Sequence, residues 1–324
     1  MRLEHEPGLA DRVLAGEGRA IARAMSLVED ETPAGAALIG NIFARTGRAF
    51  LVGVTGAPGV GKSTLVDRLT VQIRGAGQTV GVIAVDPTSP FTGGAILGDR
   101  VRMGAHAHDA GVFIRSMATR GHLGGLARAT SDLALILDAA GKDIVIVETV
   151  GVGQDEVDIV RTADISIVVL IPGAGDDVQA IKAGIMEIAD IYVVNKADRE
   201  GADRMAQSIA ANLSLQTFGP ADWRPPILMT VAATGAGIAE LWATCERFRQ
   251  HTRDRRSTRQ RARQEVRLRE LVSHQFLGHL DRTLPAGEFD RVVTAVAERR
   301  LDPYTAAAQL LTQTLTTTPP PARS

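Results

Sequence analysis

Phe50-Leu51-Val52-Gly53-Val54-Thr55-Gly56-Ala57-Pro58-Gly59-Val60-Gly61-Lys62-Ser63-Thr64-Leu65-Val66-Asp67-Arg68-Leu69 reads as a strand, a glycine-rich loop and the opening turns of a helix. The loop satisfies G-x-x-x-x-G-K-[ST] in the strand–loop–helix context that gives the pattern meaning. Gly56, Ala57, Pro58, Gly59, Val60 and Gly61 supply a backbone whose N–H groups converge on phosphates at a helix N-terminus. Lys62 then reaches the β- and γ-phosphates, the Ser63 hydroxyl ligates Mg2+, and Thr64 completes the cradle.

Outward from this loop, short apolar runs alternate with helical spacing. Strands are expected at Phe50–Thr55, Val80–Val85, Val112–Arg115, Ile144–Val147, Ile165–Leu170, Ile191–Val194 and Ile227–Val231. Their continuous Val/Ile character, without alternation, predicts an α/β fold with a mostly parallel sheet buried by helices on both faces. Helical spacing over about residues 9 to 46, broken near Glu31-Thr32-Pro33, gives a helical N-terminal extension. From Ile238 the pattern is helical again, with a break at Leu284-Pro285-Ala286-Gly287. The expected organisation is an extension (1–47), a P-loop NTPase domain (48–245), a helical C-terminal dimerisation region (246–316) and a disordered tail (317–324).

The base is read at Asn195-Lys196-Ala197-Asp198, which closes the sixth strand. The Asp198 carboxylate accepts from both guanine N1–H and the 2-amino group, whereas adenine presents a lone pair and no amino group. A site built on such hydrogen bonds rejects the wrong base by roughly 10⁴. Asn195 bonds the base or braces the phosphate loop, and Lys196 lies along the ring face. A backbone N–H in Ala232-Ala233-Thr234-Gly235 is placed to meet the guanine oxygen. Phosphate loop and base motif together point to GTP and GDP as ligands.

Carboxylates at the C-terminal ends of parallel strands beside a phosphate loop are placed to hold magnesium or its waters. Asp86, Asp99 and Glu148 are the candidates. Gly151 lacks a side chain, so its N–H can meet a γ-phosphate and withdraw after hydrolysis. The segment Ile171 to Lys182 supplies a charged, glycine-containing loop after the fifth strand, a candidate third switch.

Composition narrows the class further. The 324 residues carry 36 Lys plus Arg against 37 Asp plus Glu, which argues against a dedicated binder of nucleic acid or anionic membrane. No apolar run approaches the ~18 residues of a membrane span, and one cysteine, Cys245, allows neither an internal disulfide nor a Cys-based zinc site. A cytoplasmic location is expected. Only four basic residues are lysine (Lys62, Lys142, Lys182 and Lys196), so those are enriched for places where a compact ammonium is needed.

With these segments in place the chain closely resembles the MeaB/ArgK group, the methylmalonyl-CoA mutase-associated GTPases of the SIMIBI class. The resemblance runs through Val54–Thr64, Val85-Asp86-Pro87-Thr88-Ser89-Pro90, Gly98-Asp99-Arg100-Val101-Arg102-Met103, Arg115–Gly121, Glu148–Gln154 and Gly173–Asp190. It implies a homodimeric GTPase that escorts an adenosylcobalamin-dependent acyl-CoA mutase, gating cofactor loading and protecting or rescuing the mutase. It also implies phosphate and magnesium roles for Lys62 and Ser63, magnesium and water-ordering roles for Asp86, Asp99 and Glu148, and a switch role for Lys182. One departure is Ala232-Ala233, where the family tends to have Ser-Ala. A backbone contact to guanine survives that change, and a hydroxyl contact does not.

Other readings are weaker. His106-x-His108-Asp109 gathers too few ligands for a metal site and reads as ordinary helix-end residues. The arginine-dense stretch Arg247 to Arg269 has almost no aromatic residue to stack on bases. With Leu241, Val266, Leu268, Leu271, Val272 and Phe276 at or near it, it reads as a partly solvated dimer arm. A nickel-insertion GTPase would need His- or Cys-rich ligands, and a kinase would need a dedicated acceptor site; neither is evident.

Overall fold

The computed structural model describes residues 8–86, 106, 108–118, 125–149, 163–173 and 188–316. The chain forms two compact units, Met1–Arg259 and Gln260–Ser324. The boundary expected at 245/246 falls inside a helix, Ile238–His251.

In chain order the first unit contains α1 (Leu9–Leu14), α2 (Gly18–Glu29), α3 (Pro33–Ile42), β1 (Phe50–Thr55), α4 (Lys62–Gly75), β2 (Val80–Asp86), β3 (Val112–Ala118) and α5 (Gly125–Ala139). There follow β4 (Ile144–Glu148), β5 (Ile165–Leu170), β6 (Ile191–Asn195), α6 (Ala202–Ser214), β7 (Ile227–Thr230) and α7 (Ile238–His251). The strands form one seven-stranded sheet in the order β3-β2-β4-β1-β5-β6-β7, and every neighbouring pair is parallel. All seven expected strands are present; β3 runs on to Ala118, and β7 stops at Thr230 because Val231 instead bridges to Ala236.

The Val/Ile runs are continuous because both faces of the sheet are covered. Val52, Val54, Ile144, Ile146, Ile165 and Ile167 pack with Leu65 and Leu69 of α4 and Leu241 and Phe248 of α7 on one face. Leu241 therefore belongs to this core, with no exposed surface, and not to a solvated arm. The other face is divided. Val145, Val147, Ile83 and Val85 meet α5 and the N-terminal helices, while Val168, Tyr192 and Val194 meet α6. Each fully buried Val, Ile or Leu contributes roughly 1.5–3 kcal/mol, so sheet and helices stabilise one another.

The extension is part of this second layer. Thr32 caps α3 by accepting from the Gly35 N–H at 3.0 Å and donates its hydroxyl hydrogen to the Leu27 carbonyl at 2.8 Å, which sets the corner where the sequence breaks. Arg115 in edge strand β3 then donates through Nε to Glu29 (3.1 Å) and through Nη2 to Glu29 and the Ser26 hydroxyl (3.1 Å). Both charged side chains are mostly covered, at 20% and 13% exposure, so a lone survivor would keep an uncompensated charge. Arg115→Ala is expected to cost about 2 kcal/mol of stability and to lower the thermal midpoint by a few degrees in calorimetry. An unchanged midpoint would show that the pair does not tie the extension to the sheet.

The second unit is built from the body of α8 (Arg256–Thr283), α9 (Glu288–Ala297) and α10 (Pro303–Thr316). Leu280, Val292, Ala306 and Leu310 form its small core, with Phe276, Leu284, Val296 and Leu301 around them. The expected break at Leu284–Gly287 separates α8 from α9, and Thr316 ends a helix; the tail from 317 lies outside the described residues.

Candidate nucleotide site

The loop between β1 and α4 lies at the C-terminal end of the central strand, with β4 on one side and β5 on the other. Its conformation demands its glycines. Gly56 has φ of 144°, and a Cβ there would stand 2.2 Å from the Val169 carbonyl oxygen of β5. Gly61 has φ of 96°, and a Cβ would fall 2.5 Å from Asn195 Nδ2. Lys62, 6% exposed, donates from Nζ to the carbonyls of Gly56 (2.7 Å) and Ala57 (3.1 Å), so its ammonium is held over the loop. Ser63 Oγ donates to Glu148 Oε1 at 2.6 Å. That pairing follows from register: Val54 sits opposite Glu148, which brings the last residue of β4 beside the first turn of α4. The Glu148 carboxylate is buried at 4% exposure, a position that places two oxygen donors together at the phosphate end.

The base end is assembled around Asn195, 2% exposed. Its Nδ2 donates to the Val60 carbonyl at 2.8 Å, and its Oδ1 accepts from the Ala232 N–H (3.0 Å) and the Thr230 hydroxyl (3.1 Å). Asn195 therefore braces the phosphate loop, one of the two roles its position allowed. Lys196, at φ of 57°, donates to the Gly59 carbonyl at 2.8 Å. The Ala197 N–H bonds the Thr230 carbonyl at 3.0 Å, and Asp198 follows with its carboxylate exposed to solvent. In the loop after β7, the N–H groups of Ala232, Thr234, Gly235 and Ala236 are taken up within the protein. Ala233, exposed beside them, is the residue whose N–H these bonds leave over. Phosphate loop, Asn195-Lys196-Ala197-Asp198 and Ala232-Ala233 are thus brought together, although they are spread over the chain.

Asp86 is the last residue of β2, two places beyond the residue paired with Glu148; its side chain is outside the described set. Asp99, Gly151 and Lys182 also lie outside the described residues. Sequence reasoning missed Thr230, whose hydroxyl orients Asn195, and Arg68, whose Nη2 donates to the Ala233 carbonyl at 3.1 Å. A threonine ending an otherwise apolar strand was the available signal for the first; the second had none.

Among the described residues His106, His108 and Asp109 form no metal-ligand cluster. His106 Nε2 lies 3.0 Å from Asp67 Oδ1, while Asp109 takes a two-pronged hydrogen bond from Arg74 at 2.8 and 2.9 Å. Asp67 and Arg74 are two turns apart on α4, so the pairs fasten the approach to β3 along that helix. The Arg74 guanidinium holds the Asp109 carboxyl below the usual carboxylate range.

A family model described as methylmalonyl Co-A mutase-associated GTPase MeaB matches residues 21–283. The chain belongs to the MeaB family. It is 50% identical over 307 residues to a Pyrococcus abyssi protein assigned as a GTPase, covering 94% of this chain and 95% of that one. It is 38% identical over 312 residues to GTPase ArgK of Escherichia coli, covering 92% and 93%. The mouse methylmalonic aciduria type A homolog, mitochondrial, is 38% identical over 202 residues, 61% of this chain and 49% of that one. Among solved structures, an LAO/AO transport system kinase superposes with a TM-score of 0.74 at 30% identity, covering 97% of this chain and 100% of that one. This member of the MeaB family is therefore a guanine-nucleotide-binding GTPase with the P-loop NTPase fold. Among the described residues no helix is long and apolar enough to cross a membrane.

Proposed function

We propose that this MeaB-family protein is a magnesium-dependent GTPase that gates adenosylcobalamin loading and protects or reactivates an acyl-CoA mutase, methylmalonyl-CoA mutase, in the cytoplasm. The hydrolytic half of this reading is supported by the Ser63–Glu148 contact at 2.6 Å beside Lys62. Hydroxyl and carboxylate oxygens are the donors that magnesium prefers, and the ion, when bound, neutralises charge on the β- and γ-phosphates. Lys62 and Ser63 hold phosphate and metal, with Asp86, Asp99 and Glu148 holding the metal or ordering water. Gly56–Thr64 cradle the phosphates, Gly151 senses the γ-phosphate, and Asn195, Lys196, Asp198, Ala232 and Ala233 form the guanine pocket. The mutase half is supported by the description of the matched family and by the likeness to the mouse methylmalonic aciduria type A homolog.

A homodimer through the helical C-terminal region, 246–316, belongs to the same proposal. It is favoured by exposed apolar residues there, Val266, Leu268 and Val272 on α8 and Phe289 and Val293 on α9, each at least half exposed.

The test is single-turnover hydrolysis with and without candidate acyl-CoA mutases. Alone, turnover is expected in the ~10⁻⁴ to 10⁻² s⁻¹ range of unassisted GTPases, and the cognate mutase raises it. Lys182→Ala is expected to leave GTP affinity within about tenfold while removing most of the stimulation, because a lysine on a switch loop can make contacts in one nucleotide state only. No acceleration by any acyl-CoA mutase would remove the chaperone reading. Collapsed GTP affinity in Lys182→Ala would make that residue a nucleotide ligand instead.

A further inference from the structure

In the loop that meets the base Ala232 and Ala233 offer backbone only, and the Thr234 hydroxyl is turned onto the Val231 carbonyl at 3.1 Å. Ala232 N–H is already committed to Asn195 at 3.0 Å, which leaves the neighbouring Ala233 N–H of this loop for an acceptor on the base. A backbone donor is only as selective as its position is fixed. Asn195 fixes the loop on its buried side, at Ala232. On its exposed side the Thr234 and Gly235 N–H groups bond the Val231 carbonyl within the loop, and the contact from outside the loop comes from Arg68, whose Nη2 donates to the Ala233 carbonyl at 3.1 Å from the second turn of α4. The same helix begins with Lys62 and Ser63. Arg68 therefore links the element that carries the phosphate loop to Ala233, whose N–H the bonds of the loop after β7 leave over.

We propose that Arg68 is a specificity-positioning residue: it holds the Ala233 peptide where its N–H meets the C6 carbonyl oxygen of guanine. The proposal rests on the guanine-nucleotide site described above. Arg68 touches neither base nor phosphate in this role and acts through Ala233. Because the hydrogen bond is exposed, its loss weakens binding by a modest factor, about fivefold. That loss is confined to ligands with a good acceptor at C6.

The experiment measures affinities of wild type, Arg68→Ala and Arg68→Lys for GDP, IDP, 6-thio-GDP and ADP. IDP keeps the C6 oxygen and N1–H and lacks the 2-amino group. In 6-thio-GDP the oxygen is replaced by sulfur, a weaker acceptor, with the rest of the base edge kept. Arg68→Ala is expected to lose about fivefold for GDP and for IDP and less than twofold for 6-thio-GDP. Arg68→Lys, which retains a donor on a long stem, should recover most of that loss. Equal losses for all three guanine-like ligands would show that Arg68 merely stabilises the domain, and no loss for GDP would show that the contact does not position the loop; either overturns the proposal. Wild-type preference for GDP over ADP is read on the same plate. Its absence would strike the guanine-site reading itself, a failure separate from that of Arg68.

Discussion

Asp198→Asn is expected to weaken GTP binding by about a thousandfold and to move preference toward xanthosine nucleotides. The carboxylate sits at the turn after β6, held there by the Ala197 N–H to Thr230 carbonyl bond and by the Arg199 N–H to Lys196 carbonyl bond, both 3.0 Å. Two acceptor oxygens match the two donors of guanine. The amide replaces one acceptor by a donor, which faces the guanine donors badly and the 2-oxo group of xanthine well. Calorimetric titration with GTP, XTP and ATP decides the matter. Wild type should favour GTP over ATP at least a hundredfold, and continued preference for GTP in the variant would move the base-reading role away from Asp198. The fold should be unaffected, since the side chain is exposed and belongs to no core.

Lys62→Ala should lower GTP affinity by at least about a hundredfold, or roughly 2.7 kcal/mol, and reduce hydrolysis below detection. The ammonium is buried against the Gly56 and Ala57 carbonyls, 2.7 and 3.1 Å away. Alanine removes the only side-chain cation of the loop itself and leaves those carbonyls without that donor. GDP should suffer less than GTP, because in the proposed role the lost charge faces both the β- and γ-phosphates and GDP lacks the latter. A fluorescent-nucleotide titration beside circular dichroism separates loss of binding from loss of fold. Retained GTP affinity with lost hydrolysis would recast Lys62 as a purely catalytic group.

The lysine economy of the chain has a structural meaning among the described residues. Lys62 and Lys196 both point an ammonium at carbonyls of the phosphate loop, and Lys142 donates to the Ala110 and Gly111 carbonyls before β3, at 3.4 and 3.2 Å. Lys62 and Lys142 each satisfy two neighbouring backbone oxygens, and Lys196 satisfies one, Gly59. A planar guanidinium fits there less well.

The strands, the phosphate loop and the base motif were legible because each is written in contiguous residues. Seven Val/Ile runs need only burial on two faces to become parallel strands, and Gly56 to Ser63 owe their shape to local dihedral freedom and a helix start. The break at Thr32-Pro33 was legible for the same reason, as a cap followed by a residue that fixes φ. Other features depend on where separate elements come to rest. Arg68 meets Ala233 across 165 positions, and Arg115 meets Glu29 across 86. His106 and Asp109 look like a ligand cluster in one dimension and divide between Asp67 and Arg74 in three. Leu241, next to an arginine-rich stretch, goes into the sheet's core because α7 presents that face to α4. Local chemistry determines which elements form and which ligand class they can hold. Register and packing alone decide which side chain closes on which partner, since a hydrogen bond requires about 3 Å and a defined angle that no spacing along the chain encodes.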